Sequence, residues 1–320
     1  MNEPIYLNPL TDYGFKKYFK DKACLISLLN ALFRGEKHIV DLSYQSTEQV
    51  GEAESLGTVI FDLKVKTDLG EEVLIEVQTT RQSYLKKRML YYACKTIADQ
   101  APKGSRANWG YAITEVYVIV LMDGFSMPDG SNGEVLHDIF LCNRGSGEIF
   151  YKGLGFIYVE LINFDKAEGA IDNDLDSWLY VLNNISKLKK MPRLLKSAVF
   201  KRFFQIGEYS KLNKEERHMY DTSLKNKWDL EALRQTQIMD RAEYESGLNA
   251  LKKEVEKAMV EGRQEGRQEG RQEGRQEGKY EFVKNLICQF DFTDADAAQA
   301  ANVSLAFVEK VRAELNNTNS

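Results

Sequence analysis

Thr58-Val59-Ile60-Phe61-Asp62-Leu63-Lys64-Val65-Lys66 and Glu72-Val73-Leu74-Ile75-Glu76-Val77-Gln78 decide the fold. Each stretch alternates apolar and polar residues, the two-residue period of a β-strand. Between them Thr67-Asp68-Leu69-Gly70-Glu71 is a short connection with turn residues, so the two strands are predicted to form a hairpin. Alternation places Asp62 and Lys64 on one face of the first strand, and Glu76 and Gln78 on one face of the second. Where those polar faces coincide, two carboxylates meet beside an amide and a lysine. Oxygen ligands of that kind suit a hard divalent cation such as Mg2+, and such a cation can activate water against a phosphodiester. The wet outer face of an antiparallel hairpin gives the same pattern with no chemistry attached. The surrounding residues must therefore decide.

The chain opens Leu7-Asn8-Pro9-Leu10-Thr11-Asp12-Tyr13-Gly14-Phe15-Lys16-Lys17-Tyr18-Phe19. This opening is followed in order by Phe61 to Val65, Ile75 to Gln78, Arg88-Met89-Leu90-Tyr91-Tyr92 and Val116-Tyr117-Val118-Ile119-Val120-Leu121. Together they resemble the Rpn family of recombination-promoting nucleases, also called PD-(D/E)XK nuclease family transposases, over residues 5–125 and more loosely beyond. The resemblance implies an α/β fold with a restriction-endonuclease-like (PD-(D/E)XK) core, a helical C-terminal extension, and metal-dependent cleavage of double-stranded DNA. It implies that Asp62, Glu76 and the backbone carbonyl of Val77 hold the metal, Mg2+ or Mn2+.

Gln78 stands where the general motif has lysine, a departure the family shares. A lysine helps position the nucleophilic water and stabilises charge on the phosphate; a neutral amide can do the first but hardly the second. Lys64, two residues along the strand from Asp62, is the candidate for the missing charge, with a solvated strand lysine as the other reading. The catalytic candidates are thus Asp62, Glu76, Gln78 and Lys64. The expected activity is a metal-dependent endonuclease associated with recombination or transposition. The alternative is a DNA-binding or assembly protein on a degenerate or conditional nuclease fold, which Gln78 and an acidic net charge both favour.

The 320 residues carry a formal net charge of −5, which does not advertise a nucleic-acid binder. Residues 1–170 hold 18 Lys and Arg against 23 Asp and Glu, so DNA contacts must come from local patches. Arg81 to Arg106 has seven basic residues against Asp99, and Lys187 to Arg202 has seven and no acidic one. The second stretch interleaves Leu188, Leu194, Leu195, Val199, Phe203 and Phe204, and reads as an amphipathic basic helix interrupted near Pro192. Either stretch can face a phosphate backbone or be a solvated helix face. The DNA-contact candidates are Lys16, Lys17, Lys86, Lys87, Arg88, Lys189, Lys190 and Arg193.

Cys24, Cys94, Cys142 and Cys288 form no CxxC pair, and His38, His137 and His218 are equally dispersed. A zinc site and a disulfide framework are not expected; buried thiols in a reducing cytoplasm are. Met1 to Leu10 lacks a basic start and apolar run, so no signal peptide is expected. No apolar stretch reaches membrane-spanning length.

Along the chain, Thr11 or Asp12 can cap a first helix, and a second runs from Lys22 to Phe33. Ile39 to Tyr44 reads as a strand ahead of the hairpin. Gln82 to Ala101 reads as a helix with Leu85, Met89, Tyr92 and Ile97 as its apolar stripe. Glu115 to Met122 is a continuous apolar strand of the buried kind, and Ile139 to Cys142 and Ile157 to Leu161 are shorter strands. From Leu175 the pattern turns helical.

Glu261-Gly262-Arg263-Gln264 then occurs four times through Gln276, followed by Glu277-Gly278. Each repeat advances a helix by about 6 Å and drifts about 40° around it. Five glycines cost an isolated helix about 5 kcal/mol relative to alanine, and i,i+4 neighbours repeat the same charge. The segment reads as a fraying linker or as a helix held by a partner helix along its glycine ridge. The preceding Leu248, Leu251, Val255 and Met259 have coiled-coil-like spacing. Lys279 to Leu315 reads as three short helices, with Thr293 and Ser304 as caps. The last pair is similar to a helix-turn-helix but has only Lys310 and Arg312 as basic residues. The expected organisation is a nuclease core over 1–165, its helical extension over 166–240, a repeat-bearing helix over 241–279 and a small helical tail over 280–320. A homo-oligomer through the C-terminal helices is expected, and no membrane partner.

Overall fold

The computed structural model describes residues 4–49, 59–102, 109–127 and 132–318. Thr58, Lys103 and Arg106 lie outside the described residues. The chain divides into two compact units, Met1–Gln237 and Ile238–Ser320.

The first unit begins with helices α1 (Asp12–Phe19) and α2 (Lys22–Phe33). Thr11 caps α1 by accepting from the Gly14 N–H, and Asp21 caps α2 through Cys24. Strands β1 (Leu42–Tyr44), β2 (Glu48–Gln49), β3 (Val59–Ile60), β4 (Leu63–Thr67) and β5 (Glu72–Gln78) follow. Helix α3 (Leu85–Asp99) then connects β5 to β6 (Val116–Met122), and β7 (Leu136–Cys142) and β8 (Ile149–Glu160) complete the strands. Six strands form one sheet in the order β1-β4-β5-β6-β8-β7. Its centre, β5-β6-β8, is parallel, while β1, β4 and β7 pair antiparallel at the flanks.

A parallel centre must be covered on both faces, and β6 is buried at every residue. One face carries Val73, Ile75, Tyr117, Ile119 and Val159 against α1, α2 and two later helices, α4 (Asp174–Asn184) and α5 (Ala198–Ile206). Trp178 of α4 and Phe203 of α5 lie within 5.9 Å and 5.5 Å of Phe19 of α1, ring centre to ring centre. The other face carries Leu74, Val118, Val120 and Met122 against Leu85, Met89 and Ala93 of α3. The stretch beyond residue 165 thus shares its core with the sheet.

Several expectations are corrected. The strand from Thr58 to Lys66 is broken at Phe61–Asp62, because β3 pairs with β2 in a separate two-stranded sheet while β4 joins the main one. The strand read from Ile39 begins only at Leu42, and that read from Ile157 begins already at Ile149. Gly155 permits this length, since a Cβ there would come within 2.7 Å of the Tyr117 ring. Lys187 to Arg202 is not one interrupted helix. A 3-10 turn ends at Lys187, and α5 starts at Ala198 behind a Ser197 cap. Pro192 removes a donor and restricts the residue before it, and Pro192 and Leu195 are buried in the connection. Of the four free cysteines only Cys24 is buried; Cys94, Cys142 and Cys288 are exposed. Exposed thiols are compatible with the absence of a disulfide but not with the buried-thiol expectation.

Helix α6 (Lys214–Phe290) enters the second unit from the first. Within the first unit it is tied down by Tyr220, whose hydroxyl accepts from the Asn8 N–H at 2.9 Å, and by Ser223, which accepts from the Tyr13 N–H at 3.1 Å. In the second unit the Glu-Gly-Arg-Gln repeats are helical and exposed, and a Cβ added at each of their glycines would meet nothing within 4 Å. The end of α6 packs with α7 (Asp294–Ala301) and α8 (Leu305–Thr318) around Val283, Leu286, Ala297, Val308 and Val311. Thr293 and Ser304 cap α7 and α8 as their positions predict. The first of the three short helices is the end of α6 rather than a separate element. No described helix is long and apolar enough to cross a membrane.

Candidate active site

Strands β4 and β5 pair with Leu63 opposite Ile75 and Lys64 opposite Leu74. Asp62 sits one residue before β4, in the bend where the chain changes sheets, and therefore alongside Glu76. Val77 lies beyond the last paired rung, and its N–H donates to Asp62 Oδ2 at 2.6 Å. The broken strand thus positions the aspartate: its side chain takes the place that a strand carbonyl would fill.

Glu76 and Gln78 point to the face covered by α3, and only 7% and 6% of their surfaces remain exposed. They occupy the polar end of an otherwise apolar layer. Arg88, in the first turn of α3, reaches them. Its Nη2 donates to Gln78 Oε1 at 2.6 Å and lies 4.0 Å from Glu76 Oε2, and its Nη1 donates to Gln82 Oε1 at 2.7 Å. Gln78 Nε2 donates to the Thr80 carbonyl at 2.8 Å and to Thr80 Oγ1 at 3.2 Å. Two buried polar atoms in this cluster have no protein partner, Glu76 Oε1 and Arg88 Nε.

The electrostatics follow from this packing. Burial, and then the charge of Asp62, push the Glu76 carboxyl up to about 8, with Arg88 and Lys16 pulling the other way. Burial also raises Asp62, against the Val77 hydrogen bond and the charges of Lys16 and Arg88. A cavity of about 150 Å3 opens beside Asp62 between the start of α1 and the Ser223–Leu230 stretch of α6. A larger one of about 810 Å3 shares Leu10 and Lys227 with it and is lined by Asp123, Lys166, Lys187 and Arg234. Lys227 bonds both Asp123 and the Leu10 carbonyl.

The structure brings Asp62, Glu76, Gln78 and Arg88 together, with Lys16 acting on the two carboxylates through its charge. It does not bring Lys64 to them: Lys64 Nζ pairs with Glu72 Oε2 at 2.7 Å, toward the other end of β5. Lys16 is exposed and bonds Asp12 at 2.6 Å, and Lys17 pairs with Glu216. Lys86 and Lys87 are exposed on α3, and Lys189, Lys190 and Arg193 are exposed on the connection before α5. Lys227 escaped the sequence reading because only the return of α6 brings it near Asp62, and no local period signals that.

The donor set fits a hard cation. Two carboxylates are held in one another's field, and the oxygen of Glu76 that lacks a partner is buried. The Val77 carbonyl, on the same strand, would be a third oxygen. Among the described residues no group of three or more His, Cys, Asp or Glu could hold a metal ion; the implied set counts a backbone oxygen as its third member.

Residues 9–237 match the model of the PD-(D/E)XK nuclease family transposases. The chain belongs to that family. The match covers nearly all of the first compact unit, so the helical extension is part of the family domain and the repeats and tail lie outside it. Membership carries the α/β fold and a nuclease role associated with transposition. Searches of curated proteins and of solved structures found no match.

Proposed function

We propose that this PD-(D/E)XK protein is a metal-dependent endonuclease that hydrolyses phosphodiester bonds in double-stranded DNA. The carrying observation is Glu76 Oε1, a buried carboxylate oxygen with no partner beside a second carboxylate. Burying such a group unpaired is costly, and a divalent cation between Asp62 and Glu76 would relieve it. Asp62, Glu76 and the Val77 carbonyl would hold Mg2+ or Mn2+, whose Lewis acidity would act on water and on the phosphate oxygens. Asp62 is pre-oriented by the Val77 N–H, and α3 excludes bulk water from Glu76 and Gln78. Lys16, Lys86 and Lys87 are exposed and would offer contacts to the DNA backbone. Lys17, half-buried and paired with Glu216, would offer less; Lys189, Lys190 and Arg193 would serve a second patch.

A homo-oligomer through the C-terminal helices is part of the same reading. Tyr244, Leu248, Leu251, Val255 and Met259 form an exposed apolar series on α6 at spacing that suits a second helix.

Incubating the full chain with supercoiled plasmid, with Mg2+, with Mn2+ or with chelator, beside an Asp62→Ala variant, tests the activity. Nicking that needs the metal and Asp62 supports it. A wild-type chain that leaves the plasmid intact under every condition favours the assembly alternative.

A further inference from the structure

The geometry points to Arg88, anchored by Gln78, as the cation that serves the reacting phosphate in place of the motif's lysine. This rests on the nuclease reading above. Gln78 Nε2 is already engaged within the chain: it lies within hydrogen-bond distance of both the Thr80 carbonyl and Thr80 Oγ1. The Gln78 side-chain oxygen receives Arg88 Nη2 at 2.6 Å. The residue at the lysine position therefore carries a guanidinium to the site.

Arg88 is held on three sides. Gln82 accepts from Nη1 at 2.7 Å, Gln78 accepts from Nη2, and the Tyr92 ring lies 5.8 Å from the guanidinium carbon. Five N–H donors are available to an arginine, and the buried Nε still lacks a partner. The cluster thus contains both an unpaired acceptor on Glu76 and an unpaired donor on Arg88. A phosphodiester bound together with a cation would satisfy both. The alternatives are less well placed. Lys64 is consumed by Glu72. Lys16 is exposed and paired with Asp12, where solvent screens it.

Hydrolysis adds one water across a P–O bond and yields a phosphomonoester and a hydroxyl. Arg88 would donate hydrogen bonds to the non-bridging oxygens as charge builds on them, and would give up no proton, because a guanidinium stays charged. Gln78 would be a positioning residue and Arg88 the catalytic one.

The test is single-turnover cleavage of a short duplex by saturating full-length protein with Mn2+. Duplex binding is measured separately by fluorescence anisotropy, and folding by circular dichroism. Arg88→Ala should cut the rate at least about 100-fold, the usual loss for a donor aimed at developing charge, while binding changes by a few-fold. Arg88→Lys should keep part of the rate. Ethylguanidinium added to Arg88→Ala should restore activity, and so should Gln78→Lys in the Arg88→Ala background. Lys16→Ala should cost only a few-fold. Cleavage by wild type beside an equally active Arg88→Ala would overturn this inference alone. A slow, folded Arg88→Ala that neither ethylguanidinium nor Gln78→Lys restores would overturn it too. A wild type that never cleaves would overturn the nuclease reading, and this inference with it.

Discussion

Strand β5 carries two polar ends that were built from the same residue types and behave oppositely. At its start, Glu72 meets Lys64 at 2.7 Å, and the preceding Glu71 meets Lys37, which also reaches Glu115 at 2.5 Å. Tyr117 adds a 2.7 Å hydrogen bond to Glu115. Burial works to raise the Glu115 carboxyl, but the bonds from Lys37 and Tyr117 outweigh it and hold the group low. At the end of β5, burial raises Glu76 and nothing outweighs it; one oxygen stays unpaired and Asp62 adds a like charge. On the proposed reading, the contrast separates structural charges from functional ones. A charge whose partner lies within the chain is finished by folding. A buried ionisable group left unfinished is a candidate for binding something the chain does not contain.

The comparison can be broken in several ways. Glu76→Gln should lower cleavage at least about 1,000-fold, since it removes a charged ligand while leaving shape and burial intact; single-turnover assays read this. Lys64→Met should do the reverse. It removes the cation paired with the mostly buried Glu72 and leaves that carboxylate to the Gln100 hydrogen bond, costing roughly 3 kcal/mol in urea unfolding, and should change cleavage by no more than a few-fold. A large catalytic loss in Lys64→Met would erase the distinction between the two ends.

The pH dependence of stability sharpens it further. Glu76 has a folded-state pKa of about 8, above its ordinary value of 4.5. The folded chain therefore holds a proton that the unfolded chain has released across that window. The Glu76 contribution to stability without metal should be fullest below 4.5 and fall as pH rises toward 8, by at most about 1.4 kcal/mol per pH unit. Glu76→Gln should flatten that slope in urea titrations between pH 5 and 9, and divalent cations should stabilise the wild type most near pH 8. The smallest effect belongs outside the family domain. Deleting one Glu-Gly-Arg-Gln unit shortens the helix by about 6 Å and should leave the single-turnover rate unchanged. Truncation after Met259 should weaken self-association, read by analytical ultracentrifugation, more than it weakens cleavage. Equal masses for truncated and full chains would remove the tail from assembly.

What the sequence shows of this molecule follows the range of the forces involved. The limits of α2 at Lys22 and Phe33, the caps Thr11, Thr293 and Ser304, and the buried strand Val116–Met122 are set by neighbours in sequence, and all are legible there. The parity of β5 is equally local, so Glu76 and Gln78 fall on one face by counting. The break at Phe61–Asp62 is not legible, because alternation does not say which strand β3 will pair with. Nor is the burial of Glu76. Counting alone makes its face look wet, and only α3, docked through Leu85 and Met89, makes it dry. Arg88 stood out in the sequence as one of seven basic residues; its bond to Gln78 exists only through space. The basic stretch before α5 misleads for the same reason, since Pro192 and Leu195 bury in the tertiary fold and override a helical pattern.

The central claim is that Asp62 and Glu76 together hold a divalent cation. Titrating Mn2+ into the full-length chain without DNA, and following the electron paramagnetic resonance of the free ion, reads occupancy independently of cleavage. Saturable binding by wild type and by Lys64→Met, weakened at least about tenfold in both Asp62→Ala and Glu76→Gln, is the predicted result. Binding that is equal in wild type and both carboxylate variants, or absent from all of them, would contradict it.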